Sequence, residues 1–130
     1  MGDIHPPTDI VQEVGRLLVQ DKRINAHPWQ ALSLVIVLDG ADSITGYVYD
    51  AEGRAKPELP DSNEIFDVCE RLRDAMQQDN PTKRPWKAAL FQIRRSDMKA
   101  TFQFEYDDAS RWKVTPRNFE TMPEELRPKG

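Results

Sequence analysis

The sequence predicts an α+β fold. A helix–strand–strand unit is made twice, giving a four-stranded antiparallel sheet with two helices on one face, followed by an irregular or short helical tail. Three observations predict this. The chain repeats itself at an offset of 57 residues: Val11, Glu13, Arg16, Gln20, Pro28, Trp29, Ala31, Ile36, Tyr49 and Asp50 recur as Val68, Glu70, Arg73, Gln77, Pro85, Trp86, Ala88, Ile93, Tyr106 and Asp107. Those are 10 identities over the 40 positions 11–50, where average composition gives about two or three by chance. Repetition at this period marks duplicated supersecondary units. In addition, each half opens with apolar residues at helical spacing and closes with two alternating stretches split by a short turn.

The first helix is read from Thr8 as cap, with Asp9 in its first turn after Pro6-Pro7. Ile10, Val14, Leu17 and Leu18 then form one apolar stripe. A Pro-Trp pair opens the strand that follows. Leu32, Leu34, Ile36 and Leu38 alternate with Ala31, Ser33, Val35 and Val37. Asp39-Gly40-Ala41-Asp42 reads as a hairpin turn. The return strand places Thr45, Tyr47 and Tyr49 in one phase and Ile44, Gly46 and Val48 in the other.

A loop, residues 51–60, carries Gly53, Pro57 and Pro60 and joins the halves. The second helix starts at Asp61-Ser62-Asn63-Glu64, is striped by Ile65, Cys69, Leu72 and Met76, and must end near Asn80-Pro81. After Pro85-Trp86, the phase Ala89, Phe91, Ile93 is apolar while the other contains Gln92 and Arg94, so the first phase is assigned to the core. Following the turn at Arg95–Met98, Phe102, Phe104 and Tyr106 alternate with Thr101, Gln103 and Glu105. By the repeat, the aromatics of both return strands are expected to face the helices. One domain of 1–130 is expected: halves at 8–50 and 61–107, with a tail at 108–130.

The far face of the sheet then differs between the halves. In the second it is polar. In the first it is Val35, Val37, Ile44 and Val48, an apolar patch of the kind that is normally covered or used. The tail, with Trp112, Val114, Phe119, Met122 and Leu126, is the expected cover; a homodimer contact is the other.

The 22 acidic and 18 basic residues give a net charge of −4. That argues against a nucleic-acid backbone binder, which clusters Lys and Arg, and fits an acidic face for a basic protein partner. The single cysteine, Cys69, excludes an internal disulfide and multi-cysteine zinc clusters. No apolar run is long enough for a transmembrane helix. No signal peptide is read at the start, and the expectation is a cytoplasmic protein.

No enzymatic constellation, cofactor motif or metal spacing stands out. His5 lies in a Pro-rich start and His27 in the loop before Trp29. Cys69 sits on an apolar helix stripe, where an inert buried thiol is expected. Acids at strand ends, Asp50 and Glu52 in one half and Asp107 and Asp108 in the other, suit turn chemistry or an acidic recognition edge. Trp29 and Trp86 are duplicated and read as scaffold. Trp112 is not duplicated and sits beside Arg111, a pairing found at binding hot spots as well as in tail packing.

The succession of a helix, a Trp before a hairpin, an acid-and-proline loop, a second helix and a second Trp-led hairpin resembles YezG-type immunity proteins. The residues that carry the resemblance are Trp86, the alternation Phe102-Gln103-Phe104-Glu105-Tyr106, then Asp107-Asp108 and Trp112. It covers most of residues 8–112; the proline-rich segment from Thr115-Pro116 to Pro128 departs from it. The resemblance implies a non-enzymatic immunity protein, monomeric or homodimeric, that binds and neutralises a secreted toxin domain such as a nuclease. The partner-binding residues would be Asp50, Glu52, Asp107, Asp108, Arg111 and Trp112, with no nucleic acid, membrane or cofactor involved. The alternative is a secretion-chaperone-like adaptor or dimeric binding module. Cover of the apolar patch by the tail would favour the former, exposure the latter.

Overall fold

A computed structural model describes residues 7–40 and 42–128. His5 and Ala41, on which two of the expectations above fall, lie outside the described residues. Among those residues an open, five-stranded antiparallel sheet carries two long helices on one face and the tail on the other.

Helix α1 spans Thr8–Val19. Pro7, not Thr8, holds the cap position, and its carbonyl accepts the Val11 N–H at 3.1 Å. Proline suits this place because the first helical N–H groups have no intrahelical partner. Helix α2 spans Glu64–Asp79 and stops before Asn80-Pro81 as expected. Ser62 Oγ accepts the Glu64 N–H at 3.1 Å.

The strands are β1 (Ala31–Val37), β2 (Ser43–Tyr49), β3 (Ala55–Pro57), β4 (Ala88–Arg94) and β5 (Lys99–Glu105), in the order β3-β2-β1-β4-β5. The two halves meet at β1 and β4. Their register is symmetric under the repeat: Ala31 pairs with Arg94, Val37 with Ala88, and Leu34 with its own counterpart Phe91. A pseudo-two-fold axis therefore passes between Leu34 and Phe91. Duplication of the architecture is visible in this one pairing.

The structure also corrects the expected strand count, the facing of one return strand and the extent of the repeat. The sheet has a fifth strand, β3, inside the stretch read as a loop. It is short and contains Pro57, so its alternation is too brief to register in sequence. Its docking depends on Gly46: a Cβ there would lie 2.5 Å from the Glu58 carbonyl oxygen, which leaves room only for hydrogen.

The second correction concerns faces. Phe102 and Phe104 pack on the helix side, but Tyr47 and Tyr49 point to the tail side, while Ile44 and Val48 belong to the helix-side core. The cause is one residue of turn. Residues 38–42 separate Val37 from its partner Ser43, whereas residues 95–98 separate Arg94 from Lys99. One residue more in the first hairpin reverses every side chain of its return strand. Tyr49-Asp50 and Tyr106-Asp107 match in sequence without being equivalent in space.

The helices slip as well. Buried Val14 and Leu18 of α1 align at the same offset with exposed Arg71 and half-buried Ala75. The gap-free repeat holds in three dimensions from Trp29/Trp86 through Ile36/Ile93.

The helix-side core is built from Val14, Leu18, Trp29, Leu34, Ile36, Leu72, Met76, Trp86 and Phe91, among others. The second core lies on the other face, where Val35, Tyr47, Tyr49, Ala88 and Leu90 meet Trp112, Met122 and Leu126 of the tail. Met122 opens a short helix, α3 (Met122–Glu125), and Leu126 caps its end. Phe119, expected to join this cover, is 57% exposed.

Candidate functional site

The structure separates the six candidate residues into two groups. Asp50 follows the end of β2, whose Tyr49 pairs with Ala31, which in turn pairs with Arg94 at the end of β4. Asp107 and Asp108 follow β5, whose Glu105 pairs with Ala88, at the opposite end of β4. The two acidic turns therefore lie at opposite ends of the sheet and on opposite sides of its centre. They do not form one edge. The pseudo-two-fold axis that makes them look equivalent in sequence is what drives them apart in space.

At the first turn, Asp50 organises the β2–β3 connection. Its Oδ1 accepts the backbone N–H of Glu52 (3.0 Å) and of Arg54 (2.9 Å), and its Oδ2 accepts Arg54 Nε at 3.1 Å. The Arg54 N–H, then its side chain, hold the Asp50 carboxyl below its ordinary pKa. Glu52 is exposed and 3.6 Å from the Arg54 guanidinium. Asp50 and Arg54 line a cleft of about 360 Å³, together with His27, Trp29, Tyr49 and Lys56. His27 Nε2 lies 2.9 Å from Glu58 Oε2 beside it. Reading this cleft from sequence would have required seeing β3.

At the second turn, Glu105 acts as the hub. Its Oε2 accepts the N–H groups of Asp107 (2.9 Å) and Asp108 (3.1 Å), and Arg111 Nη1 reaches its Oε1 at 3.1 Å. Those backbone donors depress the Glu105 pKa, the Asp107 N–H most. Asp108 accepts the Ser110 Oγ (2.7 Å) and N–H (3.0 Å), which hold its carboxyl low as well. Asp107 bonds Arg84 at 2.5 Å, yet its side chain stays 80% exposed. The result is a turn with its carboxylates fixed in direction and open to solvent.

Trp112 is 7% exposed and belongs to the tail-side core. It is a packing residue, with the Arg111 guanidinium 4.8 Å from its ring centroid. Trp112 anchors the start of the tail and so fixes where Asp108 and Arg111 stand. Further on, Tyr49 donates its hydroxyl to Pro123 O at 2.6 Å, Gln92 donates to Leu126 O at 2.9 Å, and Arg127 donates to Gly53 O at 2.5 Å while stacking 4.6 Å from the Tyr49 ring. These bonds fasten the tail to both halves.

Two buried polar side chains secure the loops that follow the helices. The Asp21 carboxylate accepts N–H groups from Arg23, Ile24, Asp61 and Ser62, at 2.8 to 3.4 Å, linking the turn after α1 to the approach of α2. Asn80 bonds Thr82 and Arg84 in the corresponding loop after α2. Burial keeps the Cys69 thiol protonated, with its pKa pushed up to about 12. Among the described residues, no group of three or more His, Cys, Asp or Glu is placed to hold a metal ion. No helix among them is long and apolar enough to cross a membrane. Comparison of the chain with protein-family models and with curated proteins finds no match.

Proposed function

We propose that this chain is a non-enzymatic immunity protein, which binds and neutralises a secreted toxin domain through folded-domain recognition. The observation that carries the reading is the seal of the tail over the far sheet face. Val35 and Tyr47 are buried under Trp112, Met122 and Leu126. An adaptor that holds an extended peptide on an apolar sheet face would need that surface, and here the chain fills it itself. What is left for a partner at the β5 exit is charge with fixed geometry: the outward carboxylates of Asp107 and Asp108.

A nuclease is the toxin class that this chemistry suits. Such enzymes present basic surfaces to phosphates. An acidic protein is steered onto that surface and competes with the nucleic acid. Asp107, Asp108 and Arg111 form the proposed contact patch, positioned by Trp112 and Glu105. Asp50 and Glu52, at the other end of the sheet, form a second patch that the same rigid partner could reach only by wrapping the molecule.

The test is co-expression with a toxin domain encoded beside this chain. Restored growth and co-purification are expected; failure of both overturns the reading. For the patch, reversing Asp107 and Asp108 to Lys is expected to weaken binding by about tenfold or more at low salt, and to flatten its salt dependence. Circular dichroism checks that the fold is kept. Unchanged affinity removes the two aspartates from the contact.

A further inference from the structure

We infer that β5 is a self-pairing edge, through which two copies join antiparallel into one continuous sheet. The inference is independent of the toxin reading. β5 ends the sheet with seven residues, and among those described no strand pairs with its outer side. The other edge, β3, has three residues with a proline. A long exposed edge is a template for another strand, and sheets usually blunt it.

The sequence of β5 is its own complement. Reflected about Phe102, Lys99 meets Glu105 of the second copy, Thr101 meets Gln103, Ala100 meets Phe104, and Phe102 meets itself. The outer pairs are of opposite charge and the central pair is aromatic, both favourable cross-strand kinds, and no pairing sets like charges opposite each other. Faces agree too. Phe102 and Phe104 lie on the helix side in both copies, and the polar set lies on the tail side. Glu105 is already held in place by the backbone N–H groups of Asp107 and Asp108 and by Arg111 at 3.1 Å, so Lys99 of the second copy adds a second cation to a fixed carboxylate.

The groove beside this edge points the same way. Val11, Gly15 and Val19 of α1 and Met98, Ala100 and Phe102 line an apolar groove of about 250 Å³. Two of these residues break local rules. Gly15 sits in mid-helix with nothing among the described residues within 4 Å of where its Cβ would be, so none of them requires a glycine there. Met98 is 50% exposed and takes a left-handed φ of 52°, a conformation that favours glycine. Both make sense against a second copy: the seam brings α1 toward its own mate, where Gly15 permits close approach, and the exposed Met98 falls opposite Tyr106 of the second copy.

Sedimentation equilibrium of the full chain over a concentration series is the test, and a monomer–dimer equilibrium is expected. Lys99→Glu turns both charge pairs of the seam from attractive to repulsive at an exposed position, and should weaken association by about tenfold. Glu105→Lys reverses the charge from the other side and also removes the acceptor of the Asp107 and Asp108 N–H groups and of Arg111, so its melting temperature is measured beside its association. Mixing the two variants is the decisive arm, because each mixed dimer contains two opposite-charge pairs and should regain association near the parent level. A chain that stays monomeric at the highest concentration overturns the inference and leaves the edge to a strand of another protein. So does a Lys99→Glu variant that associates as well as the parent.

Discussion

At the residue scale, the duplicated tryptophans show how one sequence feature can hold two energetic roles. Both are 1% exposed. Trp29 donates its indole N–H to Asn25 Oδ1 at 3.2 Å and carries the Arg95 guanidinium 3.8 Å from its ring centroid. The Trp86 indole N–H is buried without a hydrogen-bond partner among the described residues, beside the Phe104 ring at 5.6 Å. An orphaned buried donor is itself a penalty of about 1–3 kcal/mol. Trp86→Phe removes that penalty along with ring volume, whereas Trp29→Phe loses the bond to Asn25 Oδ1, which keeps only the Arg95 guanidinium at 3.3 Å, and weakens the seat of that guanidinium on the ring. Urea denaturation should therefore find Trp29→Phe less stable than Trp86→Phe by about 1–2 kcal/mol; equal values would mean that Trp86 has a partner. Asp21 gives the complementary case. Its removal leaves four N–H groups without their acceptor, so Asp21→Ala should cost about 3 kcal/mol in the same measurement. The tryptophans were legible because a large aromatic recurs at a fixed interval. Asp21 was not, since its partners Asp61 and Ser62 are 40 and 41 positions away and nothing local marks a loop aspartate as buried.

At the scale of elements, both helices and four strands follow from periodicity and turn chemistry, while the tail's place across the sheet is one of two covers read for an apolar patch of which only Val35 and Val37 lie on that face. The facing of β2 does not follow from the pattern. Hairpin register is set by turn length, and a turn one residue longer is silent in an alternating pattern whose two phases, Ile44/Gly46/Val48 and Thr45/Tyr47/Tyr49, are both plausible as core. The consequence reaches the candidate site. With Tyr47 and Tyr49 turned to the tail side in place of Ile44 and Val48, the far face presents two large aromatic rings beside Val35, and the tail is needed to bury them. Trp112 is the pivot of that cover, and Trp112→Ala should destabilise the fold by about 3 kcal/mol, as for other buried aromatic truncations. The loss should come with binding of an apolar dye, because Val35, Tyr47 and Leu90 become accessible. If the fold kept its stability, the tail would be an ornament, and sealing of the sheet face could no longer support the immunity reading.

For the whole molecule, pH probes the packing of both cores at once, because each contains a group whose proton is held by burial. Cys69 lies in the helix-side core with its pKa raised from 9.0 to about 12 by desolvation. Tyr49 lies in the tail-side core, raised from 10.0 to about 12, again chiefly by desolvation. In both cases the unfolded chain gives up its proton at a lower pH than the folded one. The stability they contribute is thus complete below about pH 9 and drains as the pH rises toward 12, at a limiting slope of about 1.4 kcal/mol per pH unit for each group. Carboxylates act at the other end. Asp50, Glu105 and Asp108 are all depressed, so they favour the folded state at neutral pH and withdraw that support as the pH falls below the ordinary carboxylate range. The alkaline arm can be dissected. Thermal melts of the parent chain from pH 8 to 11 should show a falling midpoint, and Cys69→Ala, although less stable at pH 8, should show a shallower fall. A thiol reagent should label native Cys69 only at the rate of unfolding, since both burial and the missing thiolate protect it. A Cys69→Ala slope parallel to that of the parent would remove Cys69 from the alkaline arm, while rapid labelling at neutral pH would mean that the helix-side core opens far below the global unfolding free energy, and the rigid scaffold that the acidic turn requires would be lost with it.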